Sequence, residues 1–306
     1  MRDIFVDEIR TLARKDPRIV FLTAECGFSV TEGLAEEFPD RYFNVGIAEQ
    51  SLVGTAAGMA LRGLRPIAYN LSAFLTMRAY EQIRMDVAYQ NLPVILAGIG
   101  PGLGYGQAGT THHALEDTAI MRVLPNMTVV VPAHETDVRA AVNLAIEHDG
   151  PVYISLARPP KQLDLPYASR DFMFGKAMQM RNGNMAAVFA AGPMLPVAME
   201  AADILQNEGI DIRVYNNHTI KPLDTEAIDS AAKDCGVLFS LEEASVVGGL
   251  GGAMAEYIAE NAPCKFKRLG IPDVYPARMG DYNWLLRHFG IDGVGVAASI
   301  KEVLGR

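Results

Sequence analysis

Apolar positions along the chain alternate between two rhythms. Between residues 3 and 14, Phe5, Ile9 and Leu12 recur at helical spacing, and residues 18 to 24 (RIVFLTA) form a short apolar run that predicts a buried strand. The alternation then repeats. A helical segment over 47–61 precedes a strand at 65–72, and a helix over 73–90 precedes a strand at 92–100. After a glycine-rich loop the pattern predicts a helix near 115–124, a strand at 127–133, a helix over 135–149 and a strand at 151–158. Near-continuous apolar strands alternating with helices point to an α/β fold whose mostly parallel sheet is covered on both faces.

From Pro159 to about Gly183 the rhythm is interrupted by Pro159, Pro160, Pro166 and mixed charge, so residues 161–183 read as an interdomain linker. Beyond it, strands are expected at 185–192, 211–217, 236–243 and 264–271, with helices near 194–207 and 250–261. The expected organisation is two α/β domains, 1–160 and 184–306, each a mostly parallel sheet flanked by helices. No solenoid-period repeat or low-complexity tract alters this picture.

A chain of 306 residues, half of them hydrophobic, is long enough for two cores. The net charge of -9 argues against a generally basic nucleic-acid surface. Cys26, Cys235 and Cys264 lie far apart without CxxC spacing, which favours neither a disulfide framework nor a zinc site and fits a reducing cytosol. The first sixteen residues mix acids and bases, and no run of roughly 18 apolar residues occurs, so a cytoplasmic protein without a membrane span is expected.

Ligands of open α/β sheets gather in loops beyond the carboxyl ends of strands, and residues 98–113 (GIGPGLGYGQAGTTHH) form such a loop. Its glycines, like GGLGG at 248–252, loosely suggest phosphate binding. The dinucleotide spacing is not kept, however, and tight turns needing positive φ explain glycines equally well. His112 and His113 are either proton-exchanging groups beside a ligand or ordinary loop histidines. Arg158, at the end of an apolar strand, suits an anion clamp or a surface ion pair. Glu49 heads a segment of small apolar residues, either as a helix-start acid or as a poorly solvated, proton-sharing carboxylate. Phe74, Met77 and Tyr80 share roughly one helical face, which serves a core stripe or the wall of a flat cofactor ring.

Taken together, RYFNVGIAEQSLVGTAAGMA, SAFLTMRAYEQIR, GQAGTTHHALEDTAIMRVLPNMTVVVPA, TIKPLD (219–224) and EEASVVGGLGG (242–252) resemble the transketolase family of thiamine diphosphate enzymes. They follow the order of its C-terminal half over nearly the whole chain. The resemblance implies a pyrimidine-binding domain followed by the family's C-terminal domain. Glu49 would hydrogen-bond N1′ of the cofactor aminopyrimidine, whose exocyclic nitrogen takes the C2 proton of the thiazolium. Phe74, Met77 and Tyr80 would pack around the pyrimidine, with Met77 standing where transketolases often carry an aromatic. His112 would lie by the reacting oxygens of the substrate. Arg158 would bind a sugar phosphate, and Arg2 and Ser29 fall at the spacing of two further phosphate contacts. Two positions depart from the pattern: Ala108 stands where the family usually has an aspartate, and Gly100 where transketolases place a substrate-binding histidine. Losing such groups weakens discrimination for the usual hydroxylated substrate.

The family also requires a diphosphate-binding domain, in which a GDG motif and a later asparagine hold Mg²⁺ on the diphosphate. The only GD here is Gly280-Asp281, followed by Tyr282, and the length of the chain leaves no expected room for that domain. The resemblance therefore implies the C-terminal subunit of a split transketolase-like enzyme. A separately encoded N-terminal subunit carrying GDG…N would bind most of the Mg²⁺ and diphosphate, in an α2β2 assembly that includes self-association of this chain. The implied reaction transfers a two-carbon ketol unit from a ketose or ketose phosphate to an aldehyde, via a thiamine diphosphate adduct. Two alternatives stay open: the β-type subunit of a thiamine diphosphate-dependent 2-oxo acid decarboxylase or carboligase, and a non-catalytic regulatory subunit.

Overall fold

A computed structural model describes residues 1–157 and 172–306. The first part runs α1 (Arg2–Ala13), β1 (Ile19–Thr23), α2 (Glu32–Glu37), β2 (Tyr42–Asn44), α3 (Glu49–Leu61) and β3 (Arg65–Leu71). It continues through α4 (Tyr80–Gln82), β4 (Ile95–Ile99), α5 (Asp117–Arg122), β5 (Thr128–Val130), α6 (Glu135–Glu147) and β6 (Val152–Leu156). The second part comprises β7 (Met178–Arg181), β8 (Ala186–Ala190), α7 (Leu195–Gln206), β9 (Ile212–Asn216), β10 (Thr219–Lys221) and α8 (Thr225–Cys235). It ends with β11 (Val237–Ser245), α9 (Leu250–Asn261), β12 (Lys265–Ile271), α10 (Tyr282–His288) and α11 (Gly293–Leu304).

The seven-stranded sheet has the order β10-β5-β6-β4-β3-β1-β2 and the five-stranded sheet the order β12-β11-β8-β9-β7. All pairings are parallel except the two edge strands, β10 against β5 and β7 against β9. β1, β4 and β6 are buried at every residue because helices cover both faces, which is why their sequences read as apolar runs. α1 meets the sheet with Phe5, Val6, Ile9 and Ala13. Among the described residues no helix is long and apolar enough to cross a membrane, and Cys26, Cys235 and Cys264 are free.

The structure adds elements that the hydrophobic pattern left unassigned. α2, α8, α10 and α11 and the short strands β2, β7 and β10 fall outside the expected elements. Three- and four-residue strands are too short to carry a period. β7 lies within the segment expected as a linker, as a partly exposed edge; residues 161–171 of that segment lie outside the described residues. The expected helix over 73–90 consists of π-helical turns at Phe74–Arg78 and Ile83–Ala88 on either side of α4. Such turns widen the helix and shift its faces, and they recur at functional sites.

The two sheets share a core. One apolar cluster joins Leu22, Leu52, Val53 and Leu96 of the first part to Ala187, Phe189, Tyr215 and Ile258 of the second. Two further clusters cover the outer faces, one around Phe5, Ile9 and Val138, the other around Val188, Leu205 and Ile300. β10 strengthens the junction by leaving the second sheet and pairing Thr219 with Val130 of β5. Asp137 in the first turn of α6 adds a polar tie: fully buried, its Oδ2 accepts from the Ala133 and His134 amides at 3.1 and 3.2 Å and from Asn216 Nδ2 at 3.0 Å. Asp137→Ala strands those donors and should lower unfolding free energy by about 3 kcal/mol, read as a lower urea midpoint. An unchanged midpoint would show that the tie contributes nothing.

Candidate active site

Glu49 is the first residue of α3, at the helix N-terminus where the macrodipole favours a negative charge; the preceding Ala48 provides no side-chain cap. Its carboxylate is also 5% exposed. The two readings of this acid, helix-start residue and poorly solvated carboxylate, are thus both realised. Two donors reach it: Asn70 Nδ2 near the end of β3 at 3.2 Å and Arg78 Nη1 in the π turn at 3.1 Å. Both contact Oε1, and among the described residues Oε2 has no partner. Asn70 and Arg78 were not singled out from sequence. Asn70 carried a usable signal, since an amide in the apolar run IAYNL must find a partner when buried.

A continuous line of contacts leads from this acid to the glycine-rich loop. The Arg78 guanidinium lies 4.1 Å from the Phe74 ring centroid. Phe74 meets His112 edge-on at 5.2 Å, and His112 meets Tyr105 at 6.1 Å. His112 is half-buried, and its Nδ1 lies 2.9 Å from Thr111 Oγ1. His113 differs: it is buried, among the described residues neither ring nitrogen has a hydrogen bond of ordinary geometry, and burial lowers its pKa against the opposing effect of the Gly106 backbone. Geometry therefore separates two histidines that the local pattern, apart from the family resemblance, left equivalent. Gly100 has φ +63°, and a Cβ there would overlap the Tyr105 ring, so Tyr105 occupies the space beside it. Ala108 is exposed in a 3-10 turn.

The remaining expected residues take varied positions. Tyr80 packs against the shared core and donates its hydroxyl to the Ile120 carbonyl at 2.9 Å. Met77 is 40% exposed. Arg2, 3.6 Å from Asp3, lines a cleft of about 210 Å³ together with Gly100, Tyr105 and Ala157. This cleft lies beyond the carboxyl ends of β4 and β6. Ser29 is exposed with φ +65°, its amide donating to Glu32 Oε1 at 2.7 Å. Arg158 lies outside the described residues.

The weaker motifs resolve into internal contacts. At GGLGG the amides of Leu250 and Gly251, which open α9, donate to Glu242 at 2.8 and 2.7 Å, so the chain's own carboxylate fills that helix terminus. Asp281 caps α10 by accepting from the Trp284 amide at 3.0 Å. Among the described residues no group of three or more His, Cys, Asp or Glu is placed to hold a metal ion.

Three buried acids meet where the two parts join. Asp117 accepts from Tyr153 at 2.6 Å and Ser155 at 3.2 Å, and burial raises its pKa to about 6. Burial likewise raises Glu242 to about 7 and Glu243 to about 8. Glu243 accepts from the Leu103 amide at 2.6 Å and from the Tyr282 hydroxyl. All three surround a cavity of about 20 Å³, about the room one water needs.

An acid, an aromatic ring and a half-buried histidine thus stand in one line of contacts near the carboxyl ends of a parallel sheet, the face at which open α/β folds bind ligands. Residues 1–161 match the pyrimidine binding domain of transketolase and residues 175–296 match its C-terminal domain. The chain is 37% identical over 307 residues to the 6-deoxy-6-sulfo-D-fructose transketolase subunit of Clostridium sp. (strain MSTE9), covering all of this chain (100%) and 95% of that protein. It is 41% identical over 261 residues to one of the subunits of the apulose-4-phosphate transketolase of Actinobacillus succinogenes, covering 84% of this chain and 83% of the relative. A solved structure titled split gene transketolase, inactive beta4 tetramer, superposes with TM-score 0.91 at 36% identity, over 99% of this chain and 98% of that one. The chain belongs to the transketolase family of thiamine diphosphate-dependent transferases.

The buried acids set the pH response of the fold. Their pKa values are raised in the folded chain, so folding is favoured while they are protonated, and that contribution is lost as pH rises through the folded values. Above about pH 7, where unperturbed histidines are largely neutral in either state and most of the Glu242 contribution has already been lost, the loss at Glu243 dominates. The urea midpoint should fall between about pH 7 and 9. Glu243→Gln, which cannot ionise, should flatten that fall; an equally steep fall in the variant would show that Glu243 does not titrate there.

Proposed function

We propose that this chain is the C-terminal subunit of a split transketolase, active with an N-terminal subunit that carries GDG…N and with thiamine diphosphate and Mg²⁺. The complex transfers a two-carbon ketol unit from a ketose or ketose phosphate to an aldehyde. The observation that carries this reading is the Glu49 carboxylate, buried with Oε2 unpartnered among the described residues and linked through Arg78 to the Phe74 ring. A flat aminopyrimidine fits this donor set, since its ring nitrogen can share a proton with Oε2 while its face meets Phe74. When bound, thiamine diphosphate supplies the carbanion chemistry.

The chain's own residues do the rest. Asn70 and Arg78 fix the orientation of Glu49, so Oε2 holds or releases a proton without reorganising. Phe74, Met77 and Tyr80 form the wall that excludes water from the pyrimidine. Thr111 engages His112 Nδ1, which turns Nε2 toward the substrate oxygens as the proton-carrying atom. Arg2, Ser29 and Arg158 serve the distal anion of the sugar. Arg2 at the 210 Å³ cleft supports that role, as do relatives named for a sulfo sugar and a sugar phosphate. Ala108 and the Gly100–Tyr105 packing leave fewer polar groups at the mouth, consistent with a substrate other than an ordinary pentose phosphate.

The partner requirement is supported by relatives named as subunits and by a solved β4 tetramer titled inactive. Self-association within an α2β2 assembly follows the same reading. With Asp281 engaged as a helix cap, Mg²⁺ is held mainly by the partner. Free cysteines accord with a cytoplasmic enzyme.

Glu49→Gln or Glu49→Ala in the reconstituted complex should reduce kcat at least tenfold, about 1.4 kcal/mol of transition-state stabilisation, measured as ketol transfer from sugar phosphates and sulfo sugars. The subunit alone should not turn over. Near-normal activity of the variants, or turnover by the isolated chain, contradicts the assignment. CO₂ release from pyruvate by the complex would instead favour a 2-oxo acid decarboxylase.

A further inference from the structure

The loop that carries His112 belongs to the first part of the chain, yet its anchors belong to the second. Gly102 and Ala114 close its base by exchanging backbone bonds at 2.8 and 3.0 Å. The flanking Leu103 and Leu115 are buried in the apolar cluster of the five-stranded sheet rather than in that of their own sheet. The Ser245 amide at the end of β11 donates to the Leu115 carbonyl at 2.9 Å. Farther out, Thr110 Oγ1 donates to the Pro276 carbonyl at 3.3 Å, and the Gly280 amide donates to the Gly106 carbonyl at 3.4 Å.

Glu243 is the polar centre of this arrangement. One carboxyl oxygen takes the Leu103 amide at 2.6 Å and the other takes the Tyr282 hydroxyl, so a single side chain links the start of the loop to the start of α10. The contact is close enough that a Cβ at Gly102, where φ is +61°, would overlap Glu243. Glu243 is buried and Tyr282 is half-buried against the same apolar cluster, and an ionisable pair is a costly way to fill such a place. What the pair does that an apolar pair would not is fix the direction of the Leu103 amide, nine residues before His112.

We propose that Glu243 is a positioning residue, which together with Tyr282 clamps the 103–113 loop so that His112 keeps its place against Phe74 and Tyr105. The second domain is then a working part of the active site without touching the reactants. The proposal rests on the role given above to His112, but the clamp itself can be tested without turnover.

The test uses the full chain and, for kinetics, the complex with its N-terminal partner, thiamine diphosphate and Mg²⁺. Glu243→Ala removes both bonds, Tyr282→Phe removes one with little loss of packing, and Glu243→Gln preserves both, its Oε1 accepting from Leu103 and its amide donating to Tyr282. Amide hydrogen exchange over 103–113 should accelerate at least tenfold in Glu243→Ala, less in Tyr282→Phe, and stay within threefold in Glu243→Gln. Normalised to cofactor-loaded sites, kcat should fall at least tenfold in Glu243→Ala and recover in Glu243→Gln, with thiamine diphosphate affinity unchanged in both.

A merely structural acid would lower the melting temperature and the loaded fraction and leave kcat per loaded site unaltered; that result overturns the proposal. Unchanged exchange in the loop overturns it directly, and Tyr282→Phe supplies that measurement if Glu243→Ala does not fold. A complex that is inactive with the unaltered chain refutes the functional reading instead, and the exchange arm alone then decides the clamp.

Discussion

The two sheets bury one apolar layer between them, and the geometry of the site follows from it. Leu52 and Val53 of α3 and Leu75 in the π turn face the same cluster as Phe189 and Tyr215 of the second sheet. Close packing leaves such side chains little freedom to shift. Glu49 at the head of α3 and Phe74 and Arg78 in the π turn are therefore carried on elements seated in a shared core. If the second domain were separable, α3 and the π turn would lose part of the surface that fixes them.

Within that frame, polar groups are placed by a consistent rule: each buried charge is met by donors from elsewhere in the chain. Glu242 takes the amides that open α9, Asp117 takes Tyr153 and Ser155, and Asp137 takes Asn216. Glu49 differs in that its donors, Asn70 and Arg78, leave Oε2 without a hydrogen-bond partner among the described residues. Burial without full satisfaction is costly, which makes such a group a candidate for contact with a ligand. The same contrast separates Glu49 from Glu242, which sequence alone presents as equally acidic residues beside glycine-rich or small-residue segments.

The glycine-rich loop shows how a local motif can mislead about its chemistry. Its glycines do not cradle phosphate at a helix start; Gly100 and Gly102 permit Tyr105 and Glu243 to come close. The loop consequently carries a histidine between two aromatic rings, Phe74 and Tyr105, the second of which lines a cleft together with Arg2.

Sequence by itself determined the fold class and the order of the long strands and helices, because apolar period is a local property, and family motifs singled out Glu49, Phe74 and His112, which the fold brings into one line of contacts. It could not identify Asn70 and Arg78 as the partners of Glu49, or reveal that β10 crosses to the first sheet. It also gave no sign that Glu243 reaches Leu103, 140 positions away in the chain. Each of these depends on which distant groups a fold brings within hydrogen-bonding distance, and short-range patterning carries no record of that. The tertiary structure decided them by burial: once the two sheets close on a common layer, every polar group caught between them must find a donor or acceptor across the junction.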